Sequence, residues 1–211
     1  MDIYLTSAYL APIQYYAKFL SAESIFIEQH DNYIKQTYRN RCNIISANGE
    51  IPLSIPVEHS SKAKIAMKDI RIAKHGNWQH MHWNAIVSAY NSTPFFEYYQ
   101  DDFYPFYHKE FDFLFDFNEE LRTLILCLLN IDLPEIKYTE YYKVDFGQNE
   151  IDLREIIHPK RDWRTLDSDF LSVDYYQVFN QKLGFTPNMS IIDLLFNMGN
   201  ESQIILSKSI I

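Results

Sequence analysis

The spacing of apolar residues at the start of the chain predicts a strand, a helix and a second strand. Residues 3–9 are typical of a short strand, and residues 24–29 of another. Between them, apolar residues recur at three- and four-residue spacing after Pro12, namely Ile13, Tyr16, Ala17 and Leu20. This order builds parallel sheets, and open α/β sheets bind ligands at the carboxyl ends of their strands. Residues 7–14 and 29–33 are therefore expected near a ligand site.

A β-hairpin is predicted between residues 41 and 57. Two strand-like runs flank Asn48-Gly49, a pair that readily adopts the positive φ angles of a tight turn. Pro52 and Pro56 cannot donate to a sheet ladder, so the second strand is expected at an edge or irregular at those points.

Helices dominate the prediction after residue 77. Asn77 is placed to start a helix that runs to Tyr90, with one apolar face formed by Trp78, His82, Ala85, Ile86 and Ala89. Further helix starts are predicted at residues 92–94, at Pro105 and at residues 118–120, and the last helix continues to Leu129. Residues 95–117 hold twelve aromatic side chains, which predicts elements packed against each other and the sheet.

The end of the chain is predicted to contain one strand and two helices. Residues 135–141 are typical of a strand. A short helix is expected to carry Tyr175 and Phe179 and to end near Gly184. Ser190 or Asn188 is placed to cap an apolar helix that ends at Met198, and Ser190 and Asp193 have the spacing of a capping box, with Asp in place of the usual Glu.

These elements predict an α/β fold, with a mixed sheet opened by a β-α-β unit, a β-hairpin and several packed helices in the second half. An α+β arrangement is the alternative. A length of 211 residues is compatible with a single domain over residues 1–211.

Composition and charge narrow the class of protein. A chain with 47% hydrophobic and 16% aromatic residues is expected to be ordered. Its formal net charge of −9 disfavours nucleic acid as a partner. Cys42 and Cys127 are too few for a disulfide framework. The N-terminus lacks a basic region and no apolar run approaches the ~20 residues of a membrane span. A cytoplasmic location without a membrane span is therefore expected.

The polar stretch at residues 31–41 is the first candidate for a functional site. If Arg39 or Arg41 is partly buried, its planar guanidinium suits a phosphate or a carboxylate. Tyr33 and Asn40 are then expected to orient this ligand through neutral hydrogen bonds. The alternative is a solvated linker in which Arg41 pairs with Asp31.

A second candidate is the basic segment around Pro159. Arg154, His158, Lys160 and Arg161 surround this proline, whose fixed φ favours a common direction for the cations. An anion clamp is one interpretation, and a loop held by ordinary salt bridges is the other.

The histidines and cysteines do not predict a metal site. His80 and His82 are two positions apart and point to different sides of a helix. His82 shares an apolar face with Trp78, so it is either a hydrogen-bonded core residue or a general base beside a cleft. Cys42 follows Arg41, and a nearby cation favours a nucleophilic thiolate. The sequence, however, shows no pattern that supplies the histidine and asparagine of a thiol protease. No diagnostic cofactor motif is present, so the cofactor stays undetermined.

Several short runs, in the same order and spacing, resemble the WbqC-like protein family. They are residues 8–15, residues 31–35 with Asn40-Arg41, Asn48-Gly49 before residues 53–57, Trp78 with His82, and residues 184–197. The resemblance covers nearly the whole chain. Many members begin with a glutamine-proline-tyrosine run, where this chain departs from the pattern with residues 6–9 and Gln14-Tyr15. Gln14 is a further candidate for substrate binding because it ends the stretch 7–14 that is expected near the strand ends.

The resemblance implies a role in the synthesis of a surface polysaccharide such as an O-antigen. The implied substrate is an amino sugar on a nucleotide or lipid carrier. One hypothesis is a transferase of an acyl or aminoacyl group, in which Tyr33, Asn40, Arg41, Lys160 and Arg161 hold an anionic or sugar-nucleotide ligand and His82 is the base. The other is a non-catalytic protein of the same pathway that binds a sugar nucleotide or a partner enzyme.

Overall fold

A computed structural model describes residues 1–58 and 64–211 and contains a four-stranded parallel sheet. The strands are β1 (Asp2–Thr6), β2 (Ser24–Glu28), β5 (Glu135–Tyr138) and β6 (Glu150–Asp152), in the order β5-β2-β1-β6. A separate antiparallel hairpin is formed by β3 (Arg41–Ser46) and β4 (Gly49–Ser54). The β-α-β opening, the hairpin and the α/β class are therefore confirmed.

Eight α-helices are present in the described part of the chain. They are α1 (Ile13–Ala17), α2 (Trp78–Tyr90), α3 (Phe96–Phe103), α4 (Leu114–Leu129), α5 (Trp163–Leu166), α6 (Asn180–Leu183), α7 (Ile191–Met198) and α8 (Ser202–Lys208). Short 3₁₀ turns follow α1, α3 and α7, and one more lies at Met67–Asp69. The predicted bounds of α2 agree with the structure, and its apolar face is buried at Trp78, His82, Ile86 and Ala89.

The two faces of the sheet differ in what covers them. One face lies in the core and is apolar along the two central strands, through Ile3, Leu5, Ile25 and Ile27. The opposite face carries Tyr4 and Phe26, whose rings stack at 4.7 Å. Residues 139–149 connect β5 to β6 as a non-helical segment, and Phe146 packs edge-on against Tyr4 at 5.0 Å. Parallel sheets usually have helices on both faces, so this crossover is an exception.

Two sequence predictions near the end of the chain are wrong in detail. Tyr175 does not lie on a helix, because α6 begins only at Asn180. Ser190 and Asp193 do not form a capping box: the Ser190 hydroxyl donates to the Leu10 carbonyl instead, and Asp193 accepts from the Tyr175 hydroxyl. These side chains connect distant parts of the chain, and local spacing does not reveal such contacts.

The start of α4 also differs from the prediction. The helix begins at Leu114 rather than at residues 118–120. Asn118 is fully buried inside it, and its side-chain amide donates to the Arg39 carbonyl at 2.8 Å. This contact fixes the polar stretch at residues 31–41 against α4.

Candidate functional site

A buried ion pair joins the carboxyl ends of β2 and β6. Arg154 follows β6, and its guanidinium donates to Glu28 at 2.7 Å and to both oxygens of Asp152 at 2.8 and 2.9 Å. A fourth N–H group donates to the Lys143 carbonyl at 2.7 Å. Because these bonds use most of its donors, Arg154 holds the sheet together and does not join the basic segment as an anion ligand.

A second ion pair organises the polar stretch at residues 31–41. The Arg39 guanidinium donates to Asp31 through Nε at 2.9 Å and through a second nitrogen, and both side chains are buried. Arg39 also donates to Glu155 at 3.0 Å. Arg39 and not Arg41 is therefore the partner of Asp31, and the stretch is an anchored loop rather than a solvated linker.

Glu155 brings the two predicted sites together. It lies in the segment that follows β6, and its side chain is 41% exposed while that of Asp31 is 5% exposed. In the same region the Lys160 ammonium donates to the Gln36 side-chain oxygen at 2.5 Å. We call this meeting of residues 31–41 with residues 153–161 the loop junction. The sequence predicted its two parts separately but did not predict their contact.

His158 lies at the loop junction with one nitrogen already engaged. Its Nδ1 atom accepts a hydrogen bond from the Lys160 backbone N–H at 3.0 Å. Burial lowers the pKa of His158 below its ordinary value, against the opposing influence of Glu155. The positive charges of Arg161, Arg39 and Lys160 lower that pKa further. A neutral His158 with Nδ1 as acceptor carries its proton on Nε2 and is therefore a hydrogen-bond donor there.

The other polar residues of the first loop have different placements. Burial raises the pKa of Tyr33 to about 12, with Arg39 acting in the opposite direction, so the Tyr33 hydroxyl is a protonated donor beside this cation. Asn40 donates to the Ile55 carbonyl at 2.8 Å and thus fixes the loop to the hairpin. Arg41 is half-buried at the start of β3, and its Nε has no partner among residues 1–58 and 64–211.

Two buried polar atoms beyond the ends of β1 and β2 are unpaired. The Ser7 hydroxyl oxygen and one carboxylate oxygen of Asp31 have no hydrogen-bond partner in the described part of the chain. Their strands are neighbours in register, and β6 lies on the other side of β1. In open α/β sheets, ligands usually bind beyond the carboxyl ends of the strands where the strand order reverses, and here the order reverses at β1.

His82 lies in the core and not at the loop junction. It is 5% exposed, and its Nδ1 atom is 3.0 Å from the Tyr9 hydroxyl, which in turn is 3.0 Å from the Tyr107 hydroxyl. Burial lowers the pKa of His82 to about 4. The imidazole is therefore neutral and hydrogen-bonded in the interior, as in the first of the two interpretations of this residue.

Gln14 is also buried, with partners that do not belong to the loop junction. Its amide nitrogen donates to Asp167 at 2.7 Å, and its oxygen accepts from Asn188 at 3.3 Å. Asp167 also accepts from Lys18 at 2.7 Å. Gln14 thus belongs to a polar cluster separate from the loop junction.

The remaining chemical candidates give no site. Burial raises the pKa of the Cys42 thiol well above its ordinary value, which works against a thiolate nucleophile. Within the described residues, no group of three histidine, cysteine or acidic side chains is placed to hold a metal ion. The helices of the same residues include none that is long and apolar enough to cross a bilayer.

Comparison with known proteins identifies a family but no individual relative. The model of the WbqC-like protein family matches residues 7–160. This range includes Ser7, the whole loop at residues 31–41 and the segment after β6 as far as Lys160. Neither the curated proteins nor the solved structures gave a match.

Proposed function

The chain belongs to the WbqC-like protein family, and from this premise we propose that it acts in surface-polysaccharide synthesis by binding an anionic sugar derivative at the loop junction. A nucleotide sugar is the proposed ligand. One observation carries the proposal: two polar loops meet through Arg39–Glu155 and Lys160–Gln36 at the carboxyl ends of the strands.

The charges at the loop junction suit an anion even though the protein is acidic. Lys160 and Arg161 are exposed, and neither forms an ion pair with an acidic side chain in the described part of the chain. Arg39, by contrast, is engaged by Asp31 and Glu155. Lys160 and Arg161 are therefore the proposed phosphate ligands, and Arg39 fixes the loops that carry them.

Neutral donors complete the proposed site. The Tyr33 hydroxyl keeps its proton at neutral pH because its pKa is about 12. His158 offers its Nε2–H group, since the backbone of Lys160 occupies Nδ1. Such donors bind sugar hydroxyls and phosphate oxygens without adding charge. Asn40 and Arg41 are proposed to hold the base of the loop on the hairpin.

The same geometry favours binding over transfer chemistry. His82 is closed off from solvent, so it does not reach a substrate at the loop junction. His158 does lie there, but its Nδ1 lone pair is already used and Nε2 carries the proton. A transferase of acyl or aminoacyl groups remains the second candidate, and in it His158 acts as a proton donor to the substrate.

The test is calorimetric titration with UDP-N-acetylglucosamine and with UDP. We expect wild type to bind at least one of them, and the double variant Lys160→Ala with Arg161→Ala to bind on the order of tenfold or more weakly, because charge-assisted hydrogen bonds are lost. The matched control removes two exposed lysines elsewhere, by Lys182→Ala with Lys208→Ala, and should bind like wild type. Equal affinity in all three proteins, or no binding to wild type, would contradict the proposed site.

A further inference from the structure

A cavity of about 270 Å³ lies on the core side of the sheet, beside β6. It is separate from the loop junction, although the segment after β6 contributes to both. Glu155 contacts Arg39 at the junction, whereas its neighbour Ile156 lines the cavity. The apolar wall consists of aliphatic side chains and includes Ile3, Ile151, Leu153, Ile156, Leu166 and Ile210.

A buried ion pair forms the polar part of this wall. Lys18 and Asp167 both line the cavity, and each side chain is only 4% exposed. The Lys18 ammonium donates to one oxygen of Asp167 at 2.7 Å, and Gln14 donates to the other at 2.7 Å. Gln14 thereby fixes the carboxylate, and the carboxylate fixes the ammonium.

Lys18 has hydrogen-bonding capacity left over. An ammonium carries three N–H donors, and Asp167 is its hydrogen-bond partner in the described part of the chain. An ion pair buried among aliphatic residues is expensive to desolvate and is often replaceable by apolar residues without loss of stability. Stability alone therefore does not require a lysine at this position. A ligand whose oxygen accepts a hydrogen bond from the ammonium would require one.

We infer that this cavity binds a short aliphatic acyl group. The carbonyl oxygen accepts from the Lys18 ammonium, and the alkyl chain packs on the isoleucine and leucine wall. The described residues that line the cavity include no aromatic side chain, so the wall favours an alkyl chain over a stacked ring. Asp167 and Asp169 also line the cavity and oppose a second negative charge, so a neutral acyl amide or ester fits better than a free carboxylate.

This inference is independent of the nucleotide-sugar proposal. It rests on Lys18, Asp167 and the aliphatic wall, and it uses no residue to which the loop-junction proposal gives a role in binding. Asp167 also lies beyond residue 160, where the family match ends. The inference therefore draws on the residues of the cavity and not on the family match.

Closing the mouth of the cavity tests the inference. Leu166 lines the cavity and is 46% exposed, so Leu166→Trp places a large ring at the entrance and leaves Lys18, Asp167 and Gln14 in the sequence. The control is Leu171→Trp, which changes a leucine that is 51% exposed and does not line the cavity. The probes are hexanamide, hexanoate and hexan-1-ol in a thermal-shift assay.

Hexanamide should raise the Tm of wild type and of Leu171→Trp by about 2–4 °C at several times its Kd, and should leave that of Leu166→Trp unchanged. Hexanoate and hexan-1-ol should give smaller shifts. No shift with hexanamide, an equal shift in Leu166→Trp, or a larger shift with hexanoate would overturn the inference. Binding of UDP-N-acetylglucosamine should be the same in both tryptophan variants, which separates this test from that of the loop junction.

A charge-neutral variant tests the role of Lys18. Lys18→Met with Asp167→Asn removes both charges but leaves an amide oxygen to accept from Gln14, so the protein should still fold. The hexanamide shift should be lost in this variant. A retained shift would overturn the assignment of Lys18 as the donor.

Discussion

At the scale of single residues, His82 illustrates how environment decides chemistry. The sequence places it on the apolar face of α2, and this face is indeed buried. Its hydrogen-bond partner is Tyr9, 73 positions away, and Tyr9 in turn contacts Tyr107. Only the tertiary fold supplies these contacts, so the sequence left two interpretations open for this histidine.

The buried position of His82 predicts a pH dependence of stability. Its pKa is about 4 in the folded protein and 6.5 in the unfolded chain, so unfolding takes up a proton between these values. The stabilisation is present above pH 6.5 and is lost as the pH falls through 4, by roughly 3 kcal/mol in full. His82→Gln should therefore reduce the loss of unfolding free energy between pH 7 and pH 4, measured by urea denaturation.

The comparison must be made between the variant and wild type at each pH, because Asp193 acts in the opposite direction. Burial raises the pKa of Asp193 to about 6, so its stabilisation is complete below 3.8 and is lost as the pH rises through 6. This contribution is common to both proteins. A constant difference between them from pH 7 to pH 4 would show that His82 is not buried as described.

At the scale of elements, the ion pair between Glu28 and Arg154 determines how β6 joins the sheet. The strand has three residues, and its ladder with β1 is correspondingly short. Arg154 lies directly beyond β6 and reaches over to β2, where the Glu28 side chain is completely buried. The bonds of the Arg154 side chain therefore strengthen the attachment of the edge strand β6, which has few backbone hydrogen bonds to β1.

Removing one partner of this pair should destabilise the protein strongly. Arg154→Met leaves a buried negative charge on Glu28, which costs about 3–5 kcal/mol for comparable pairs. The control is Arg164→Met, since Arg164 forms an exposed pair with Asp162 and its loss should change stability little. Urea unfolding followed by tryptophan fluorescence measures both. Similar unfolding free energies for the two variants would contradict a structural role for Arg154.

The local elements are the ones that the sequence predicted well. The Asn48-Gly49 hairpin, α2 and the β-α-β opening each depend on residues close together in the chain, and all three are confirmed. β6 is too short to show a periodic pattern. The start of α4 lies among so many aromatic residues that the apolar periodicity of a helix cannot be recognised there. For the candidate site, the polar loop and the basic segment were predicted, but Glu155, which joins them, has no local signal.

At the scale of the whole molecule, an acidic chain carries exposed cations beyond the carboxyl ends of its strands. The net charge of −9 repels polyanions at a distance, whereas Lys160 and Arg161 attract a small anion nearby. The cavity beside Lys18 is instead lined mainly by aliphatic side chains, and its ion pair is only 4% exposed, so the two proposed sites should respond differently to salt.

Raising NaCl from 0.05 to 0.5 M should weaken the binding of UDP-N-acetylglucosamine, because the Debye length falls from about 14 to about 4 Å and screens exposed charges. The thermal shift caused by hexanamide should persist, since hydrophobic contacts do not weaken with salt. Calorimetry and thermal-shift measurements on wild type at both concentrations check this. A salt-independent affinity for the nucleotide sugar would argue against Lys160 and Arg161 as its ligands.

The order of the strands also has a consequence for synthesis on the ribosome. β1 can pair with β2 soon after both strands leave the ribosome. The other edge of β1 pairs only with β6, which is translated much later. The bond between Tyr4 and Glu150, for example, joins residues 146 positions apart. Until then, the first strand of the chain has one unpaired edge, a feature that favours pairing with other chains. The nascent protein therefore has its greatest need for a chaperone while its middle is being translated, before the last strand closes the sheet.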